Sequence, residues 1–183
     1  MVRWLLFGSG SAAICVLSWR SLKSLRAHGF YRFFAFELLW ALILLNLPIW
    51  FREAFSARQI LSYLFGLASI GLAIEGFRLL IGRGRPSRNA GRDSNLGFEN
   101  TTTVVSTGAY RYIRHPLYAS LLAFVWAAYL KDPLDVWDIV MALAATGFLL
   151  ATAMVEEREN VEQFGPPYVD YMRHTRRFVP FLF

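Results

Sequence analysis

Gly108-Ala109-Tyr110-Arg111-Tyr112-Ile113-Arg114-His115-Pro116-Leu117-Tyr118 joins a polar, arginine-rich loop to an apolar run. Proline is favoured at the first helical position, where its missing N–H is no loss, so Pro116 is predicted to open a helix. A second apolar run follows and ends in Glu156-Glu157. Between the two polar blocks there is room only for a pair of membrane helices. Their turn, Lys131-Asp132-Pro133-Leu134-Asp135, contains a proline that cannot continue a helix. Such a hairpin returns the chain to the face it left, so both polar blocks meet at one side of a bilayer and enclose a buried site.

Composition agrees with a membrane reading. The 183 residues are 56% hydrophobic, 16% aromatic and 17% charged, against ~45–50% apolar and ~25% charged in soluble domains. The apolar residues fall in five blocks, roughly 4–19, 33–51, 60–81, 117–130 and 137–155. A hydrocarbon core ~30 Å thick needs about 20 helical residues. The second, third and fifth blocks meet that length, the first is slightly short and the fourth clearly short. The expected fold is an all-α integral membrane protein of about five transmembrane helices, with a helical hairpin of the fourth and fifth spans and a C-terminal interfacial tail helix. One membrane domain, 1–183, divides into three N-terminal spans (1–81), a loop (82–116), the hairpin (117–155) and a tail (156–183). The first block lacks a small-residue cleavage site and reads as a retained helix rather than a signal peptide. The lone Cys15 lies inside it, so there is no disulfide framework.

Charge predicts orientation. The link 20–32 holds Arg20, Lys23, Arg26 and Arg32 without an acid, and the loop 82–116 is also rich in arginine. The other two links are poor in positive charge. The positive-inside rule then places the two basic links, the tail and an active site on the cytoplasmic face. A net charge of +6 can signal nucleic acid, but between membrane spans Gly82-Arg-Gly-Arg-Pro86 is better read as contacting lipid headgroups, with no nucleic-acid partner. The oligomeric state is open.

The motifs carry two readings each. Arg114 and His115 beside the free amides of a helix start form a site for an anion or polar ligand, with the Tyr118 hydroxyl in the first turn. The same residues also serve as interfacial anchors. Glu156 and Glu157 at the edge of hydrocarbon are costly unless paired or hydrogen-bonded, yet they can also be the solvated start of the tail. Tyr168 and Tyr171, one turn apart on a tail helix, face one way. They form either an amphipathic lid on lipid or a lid over a lipidic substrate, with Arg177 reaching its anionic group. The loop arginines Arg83, Arg85, Arg88 and Arg92 offer too many candidates to single one out. No glycine-rich dinucleotide or phosphate loop occurs, and His28, His115 and His174 lack metal-ligand spacing, so no metal site is expected.

In their order, these blocks resemble the isoprenylcysteine carboxyl methyltransferase and phospholipid methyltransferase superfamily. The matching pattern is Gly108-x-Tyr110, Arg114-His115-Pro116-x-Tyr118, Glu156-Glu157, Phe164-Gly165-x-x-Tyr168-x-x-Tyr171 and Phe178-x-Pro180, within residues 108–183. A departure is Ser120, where many members carry glycine. The resemblance implies an integral membrane enzyme that uses S-adenosylmethionine. It further implies that Tyr110, Arg114, His115, Tyr118, Glu156 and Glu157 bind the cofactor, and it assigns no catalytic residue. A lipophilic methyl acceptor, such as a prenylated-cysteine-like carboxylate or a lipid, is expected to enter sideways from the bilayer. Two other classes remain: a membrane NADPH-dependent reductase of sterol-type substrates, and a non-catalytic membrane scaffold.

Overall fold

The computed structural model describes residues 1–87, 89–92, 94–131 and 135–180. Arg88, Asp93, the turn residues 132–134 with Pro133, and the aromatic residues Phe181 and Phe183 lie outside them. The described residues form six α-helices and no strand beyond an isolated bridge. The helices are α1 (Val2–Ser18), α2 (His28–Asn46), α3 (Ala57–Gly84), α4 (Pro116–Tyr129), α5 (Val136–Phe164) and α6 (Pro166–His174). Three are long and apolar enough to cross a membrane: α2 with its 3-10 extension to Ile49, α3 and α5. By length and composition this is a multi-pass membrane protein. The first and fourth blocks form shorter apolar helices of 17 and 14 residues.

The helices are inside-out by the standards of a soluble protein. On α3 the buried residues are Gln59, Ser62, Gly76 and Gly84, while Ile60, Leu64, Leu67, Ile70, Ile74 and Ile81 face outward. With lipid as solvent, apolar side chains gain nothing by turning inward, and small or polar residues make the helix contacts. The core follows the same logic. Ala35, Leu39 and Leu42 of α2 meet Ala142, Ala145, Leu149 and Ala153 of α5, the alanines allowing close approach. The other extensive packing is α3 on α4.

Helix lengths position the site. Pro116 and Leu117 abut Gly76, where an added Cβ would stand 2.8 Å from Leu117 Cδ2. Ser62 of α3 donates to the Ala127 carbonyl at the far end of α4 (2.8 Å). The short α4 therefore begins roughly 12 Å below the Gly84 end of α3, at 1.5 Å rise per residue. A recess remains above it, between α2, α3 and α5. The loop 96–113 and α6 cover that recess. Opposite, the bundle is closed by buried polar pairs: Asn46 Nδ2 to Asp138 Oδ2 (2.6 Å) and Lys131 Nζ to Gln59 Oε1 (2.8 Å). Lys131 also lies over the rings of Trp50 and Tyr63.

Two helix boundaries differ from the hydropathy reading. α5 continues past the apolar run to Phe164, so Glu156 and Glu157 sit inside a helix and not at the head of a tail. α2 begins at His28 rather than near 33, which brings His28 and Arg32 into its first turns. In both cases polar residues are helical because partners elsewhere receive them. The helix breaks at Gly165, with φ +64, and α6 starts on Pro166 and Pro167, where a glycine followed by prolines ends one helix and opens the next.

Candidate functional site

The site begins at a backbone device. Gly108 adopts φ +59, a conformation glycine enters without steric cost, and a Cβ there would meet Glu75 Oε1 at 2.6 Å. Glu75 instead accepts the Ala109 N–H (2.8 Å) and anchors the 3-10 turn Gly108–Arg111 on α3. The chain then pairs with the segment after α6. Arg114 N–H donates to the Arg176 carbonyl (2.7 Å), His115 N–H to the Arg177 carbonyl (3.2 Å), and Arg176 N–H to the Tyr112 carbonyl (3.0 Å). This parallel bridge stitches the start of α4 to the tail.

Glu157 is the hub of the first charged cluster. Its Oε1 accepts from Arg114 Nε (2.8 Å), and its Oε2 from Arg177 Nε (3.1 Å) and Nη2 (3.0 Å). Arg114 spends another nitrogen on the carbonyls of Met172 and Thr175. His115 stacks on Tyr118 with ring centroids 5.4 Å apart. Its Nε2 is 3.5 Å from Glu157 Oε1, yet it is buried without a hydrogen-bond partner.

A second cluster links three distant segments. His28 Nδ1 pairs with Glu159 Oε2 (2.6 Å), and its Nε2 lies 3.4 Å from Glu99 Oε2. Arg32 Nη1 pairs with Glu99 Oε1, and Glu99 Oε2 also accepts the Leu96 N–H (2.8 Å). Burial drives the Glu99 carboxyl up, but the Arg32 guanidinium, His28 and the Leu96 amide outweigh it and hold the group below the usual carboxylate range. The cluster clamps the 3-10 turn Gly97–Glu99 against α2 and α5.

Between the clusters is a cavity of about 300 Å³, at the lower end of the roughly 300–1,000 Å³ usual for small-molecule sites. Its polar end is walled by Glu99, His115, Glu156, Tyr110 and Tyr168, and its apolar end by Phe36, Phe77, Leu117 and Leu121. Three polar atoms on this wall are buried without a partner: Arg32 Nε, His115 Nε2 and Glu156 Oε2. Burial, and then the Glu156 charge, push the hydroxyls of Tyr110 and Tyr168 well above the ordinary phenol range, so both stay neutral. Buried groups in native proteins are normally satisfied, so three unsatisfied atoms on one cavity wall describe a site awaiting polar ligand atoms. A free carboxylate oxygen and several aromatic faces also suit a positively charged, aromatic cofactor such as S-adenosylmethionine.

Of the residues singled out from sequence, Tyr110, Arg114, His115, Tyr118, Glu156, Tyr168 and Tyr171 line this cavity. Glu157 and Arg177 stand behind it, bound to one another. Tyr171 is tied by its hydroxyl to the Tyr110 carbonyl (2.7 Å). Ser120 also lines the cavity and folds its hydroxyl back onto the Leu117 carbonyl (2.7 Å). Arg32 and Glu99 at the wall, and His28 and Glu159 behind them, were not singled out as site residues. The available signal was an uncompensated Arg32 at the edge of an apolar block, read only as an orientation charge.

Among curated proteins, methanethiol S-methyltransferase 2 of Bradyrhizobium diazoefficiens is 35% identical over 74 residues, 40% of this chain and 27% of that protein. Methanethiol S-methyltransferase of Mycobacterium tuberculosis is 29% identical over 142 residues, 78% of this chain and 48% of that protein. The Pseudomonas deceptionensis protein of the same name is 33% identical over 73 residues, 40% of this chain and 27% of its own length. The chain thus spans about half, or less, of the relatives it matches. No family model and no solved structure matches it. The likeness to proteins named methyltransferases fits the superfamily that the motif order resembles.

Proposed function

We propose that this protein is an S-adenosylmethionine-dependent methyltransferase acting on a lipophilic acceptor at the cytoplasmic face of its membrane. The observation that carries the reading is the cavity with its unpartnered Arg32, His115 and Glu156 atoms, set where a short helix starts beneath longer ones. S-adenosylmethionine, when bound, supplies a methyl group activated on a positively charged sulfur. Glu156 on the cavity wall would offer that charge a carboxylate, and Tyr110, Tyr118 and Tyr168 would offer ring faces. Glu157 stays behind the wall and fixes Arg114 and Arg177, which hold the tail across the polar end. Transfer of this kind depends on alignment in a dry site, and positioning can supply ~7–11 kcal/mol. The roof of loop and α6 excludes water while the apolar end remains lined for a greasy group.

The orientation and acceptor are part of this proposal. Arg20, Lys23 and Arg26 lie before α2, and Arg83 and Arg85 lie at the end of α3, the same end as the cavity. The positive-inside rule sets that end in the cytosol. The relatives are named for methanethiol, which makes alkanethiols of increasing length the first acceptors to try, beside prenylated carboxylates and lipids. Calorimetric titration of S-adenosylhomocysteine into detergent-purified protein, followed by labelled-methyl transfer to those acceptors, tests the reading. Saturable binding with transfer to at least one apolar acceptor is expected; absence of cofactor binding by folded protein overturns it.

A further inference from the structure

The link between α1 and α2 faces two ways. Its backbone turns as a 3-10 segment, Ser21–Lys23, with the Lys23 N–H donating to the Arg20 carbonyl (3.4 Å). Residues three apart eclipse in such a turn, so Arg20 and Lys23 emerge on one side. Both are exposed, as are Arg26, Trp19 and Leu25, and Lys23 Nζ lies 5.6 Å from the centre of the Trp19 ring. Arg20, Lys23 and Arg26 make no salt bridge among the described residues, whereas Arg32, Arg114 and Arg177 are each bound to a glutamate. The inner side of the link is built into the pocket. Ser21 is 2% exposed and seats against Gly29 of α2, where an added Cβ would stand 2.3 Å from its hydroxyl oxygen. That hydroxyl donates to the Ser94 carbonyl (2.6 Å). Two residues beyond Ser94, the Leu96 N–H donates to Glu99, the loop carboxylate on the cavity wall.

We propose that the α1–α2 link docks the headgroup of an anionic phospholipid, and that the docked headgroup steadies the loop wall of the pocket through Ser21. The second half rests on the methyltransferase reading, because it makes the lipid a regulator of that pocket. No acid lies between Trp19 and His28, so the three unpaired cations complement a headgroup of net negative charge. A zwitterionic headgroup carries an ammonium that offsets the same attraction. Trp19 and Leu25 complete the match to a lipid, since a tryptophan at a helix end suits the boundary between headgroups and chains. A free phosphate would engage the cations and leave both apolar side chains uncovered. A basic residue at an anionic surface strengthens binding roughly fivefold, less as salt screens it. The link that meets the headgroups is thus one hydrogen bond away from the loop that walls the site.

The competing account makes these residues a general interfacial anchor with no bearing on the pocket. Detergent-purified protein is titrated with phosphatidylglycerol and phosphatidylcholine of equal acyl chains, read by native mass spectrometry. Amide exchange of residues 94–101 and S-adenosylhomocysteine affinity are then measured in nanodiscs of phosphatidylcholine alone and of the two lipids mixed. The wild type is expected to bind phosphatidylglycerol at least ~10-fold more tightly. With that lipid present, loop exchange should slow and S-adenosylhomocysteine affinity should rise about fivefold, the low end of coupling between sites. Arg20→Gln/Lys23→Gln/Arg26→Gln should abolish all three effects, whereas Arg83→Gln/Arg85→Gln, which removes cations elsewhere at the same end, should keep them. Ser21→Ala should keep the headgroup preference and lose the effects on loop and affinity. The proposal is overturned if the wild type shows no headgroup preference, or if the Arg83/Arg85 variant loses it as fully. It is equally overturned if the loop still slows in Ser21→Ala, or if inorganic phosphate at equal ionic strength slows it as well in phosphatidylcholine nanodiscs. Should the triple variant not fold, Lys23→Gln alone decides: a several-fold loss of preference supports the site and an unchanged preference refutes it. S-adenosylhomocysteine binding and loop exchange that ignore the lipid break this inference alone. Headgroup preference and a slowed loop without any cofactor binding support the lipid site and break the methyltransferase reading.

Discussion

The two ends of the bundle bury polar groups in different ways. At the end formed by Asn46, Asp138, Gln59 and Lys131, buried side chains meet one another directly, and no unpartnered buried atom occurs there among the described residues. At the other end, an equally buried set of charges leaves Arg32 Nε, His115 Nε2 and Glu156 Oε2 open around a cavity. The first end also carries charge in sequence, with Arg58, Lys131 and Asp138. The two ends differ in whether the partners of buried polar atoms are already inside the protein. A closed network stabilises the fold, while an open one costs stability until something is bound.

That contrast can be broken by substitution. The largest effect is expected from Glu157→Gln, which leaves Arg114 and Arg177 facing a neutral amide at the buried hub. Breaking such a pair costs ~3–5 kcal/mol, the lower figure applying because Arg177 is partly exposed. Thermal unfolding in detergent measures it, and a change below about 1 kcal/mol would mean that the hub does not hold this end together. His115→Ala should act the other way round, weakening S-adenosylhomocysteine binding by ~1–3 kcal/mol with a smaller change in unfolding, since the Nε2 contact with Glu157 Oε1 is long (3.5 Å) and makes no hydrogen bond. Equal losses in binding and stability would erase the difference between the two ends.

At the closed end, Lys131→Met keeps the side-chain length but leaves Gln59 Oε1 unmatched and removes the cation from Trp50 and Tyr63. A loss of ~1–2 kcal/mol in stability with unchanged cofactor affinity is expected. The smallest effect is in pH. The folded Glu99 carboxyl sits below its unfolded value of ~4.3, so its contribution is complete above that value and is lost as the pH falls through the lower folded value. Melting temperature followed into acid should decline less steeply in Glu99→Gln than in the wild type.

Much of this was legible in the chain. Pro116 at the first position of α4 and Gly165 before the prolines of α6 follow from local chemistry, while Tyr110 was joined to His115, Tyr118 and Glu156 by the order of the motifs that carries the resemblance. The extension of α5 to Phe164 was not legible, because hydropathy registers the polarity of Glu157 and Glu159 but not the Arg114, Arg177 and His28 that receive them. The place of Arg32 on the cavity wall was hidden for the same reason. Glu99, which fixes it, comes from a loop without periodicity, and its meeting with α2 depends on how three helices pack. The span count turns on length in the same way: α4 has the composition of a span but only 14 residues, and the recess exists because of that shortness.

The bridge between Ile113 and Arg176 has a consequence for the order of events during synthesis. Arg114 leaves the ribosome before α4 and α5, whereas the Thr175 carbonyl that receives it lies 61 residues further along. At roughly 5–20 residues per second, the guanidinium waits several seconds, through insertion of the whole hairpin, before its final partners exist. During that interval headgroup phosphates at the membrane surface are its available counter-ions. The polar end of the pocket is thus completed last, when the Thr175 carbonyl reaches an arginine that arrived first.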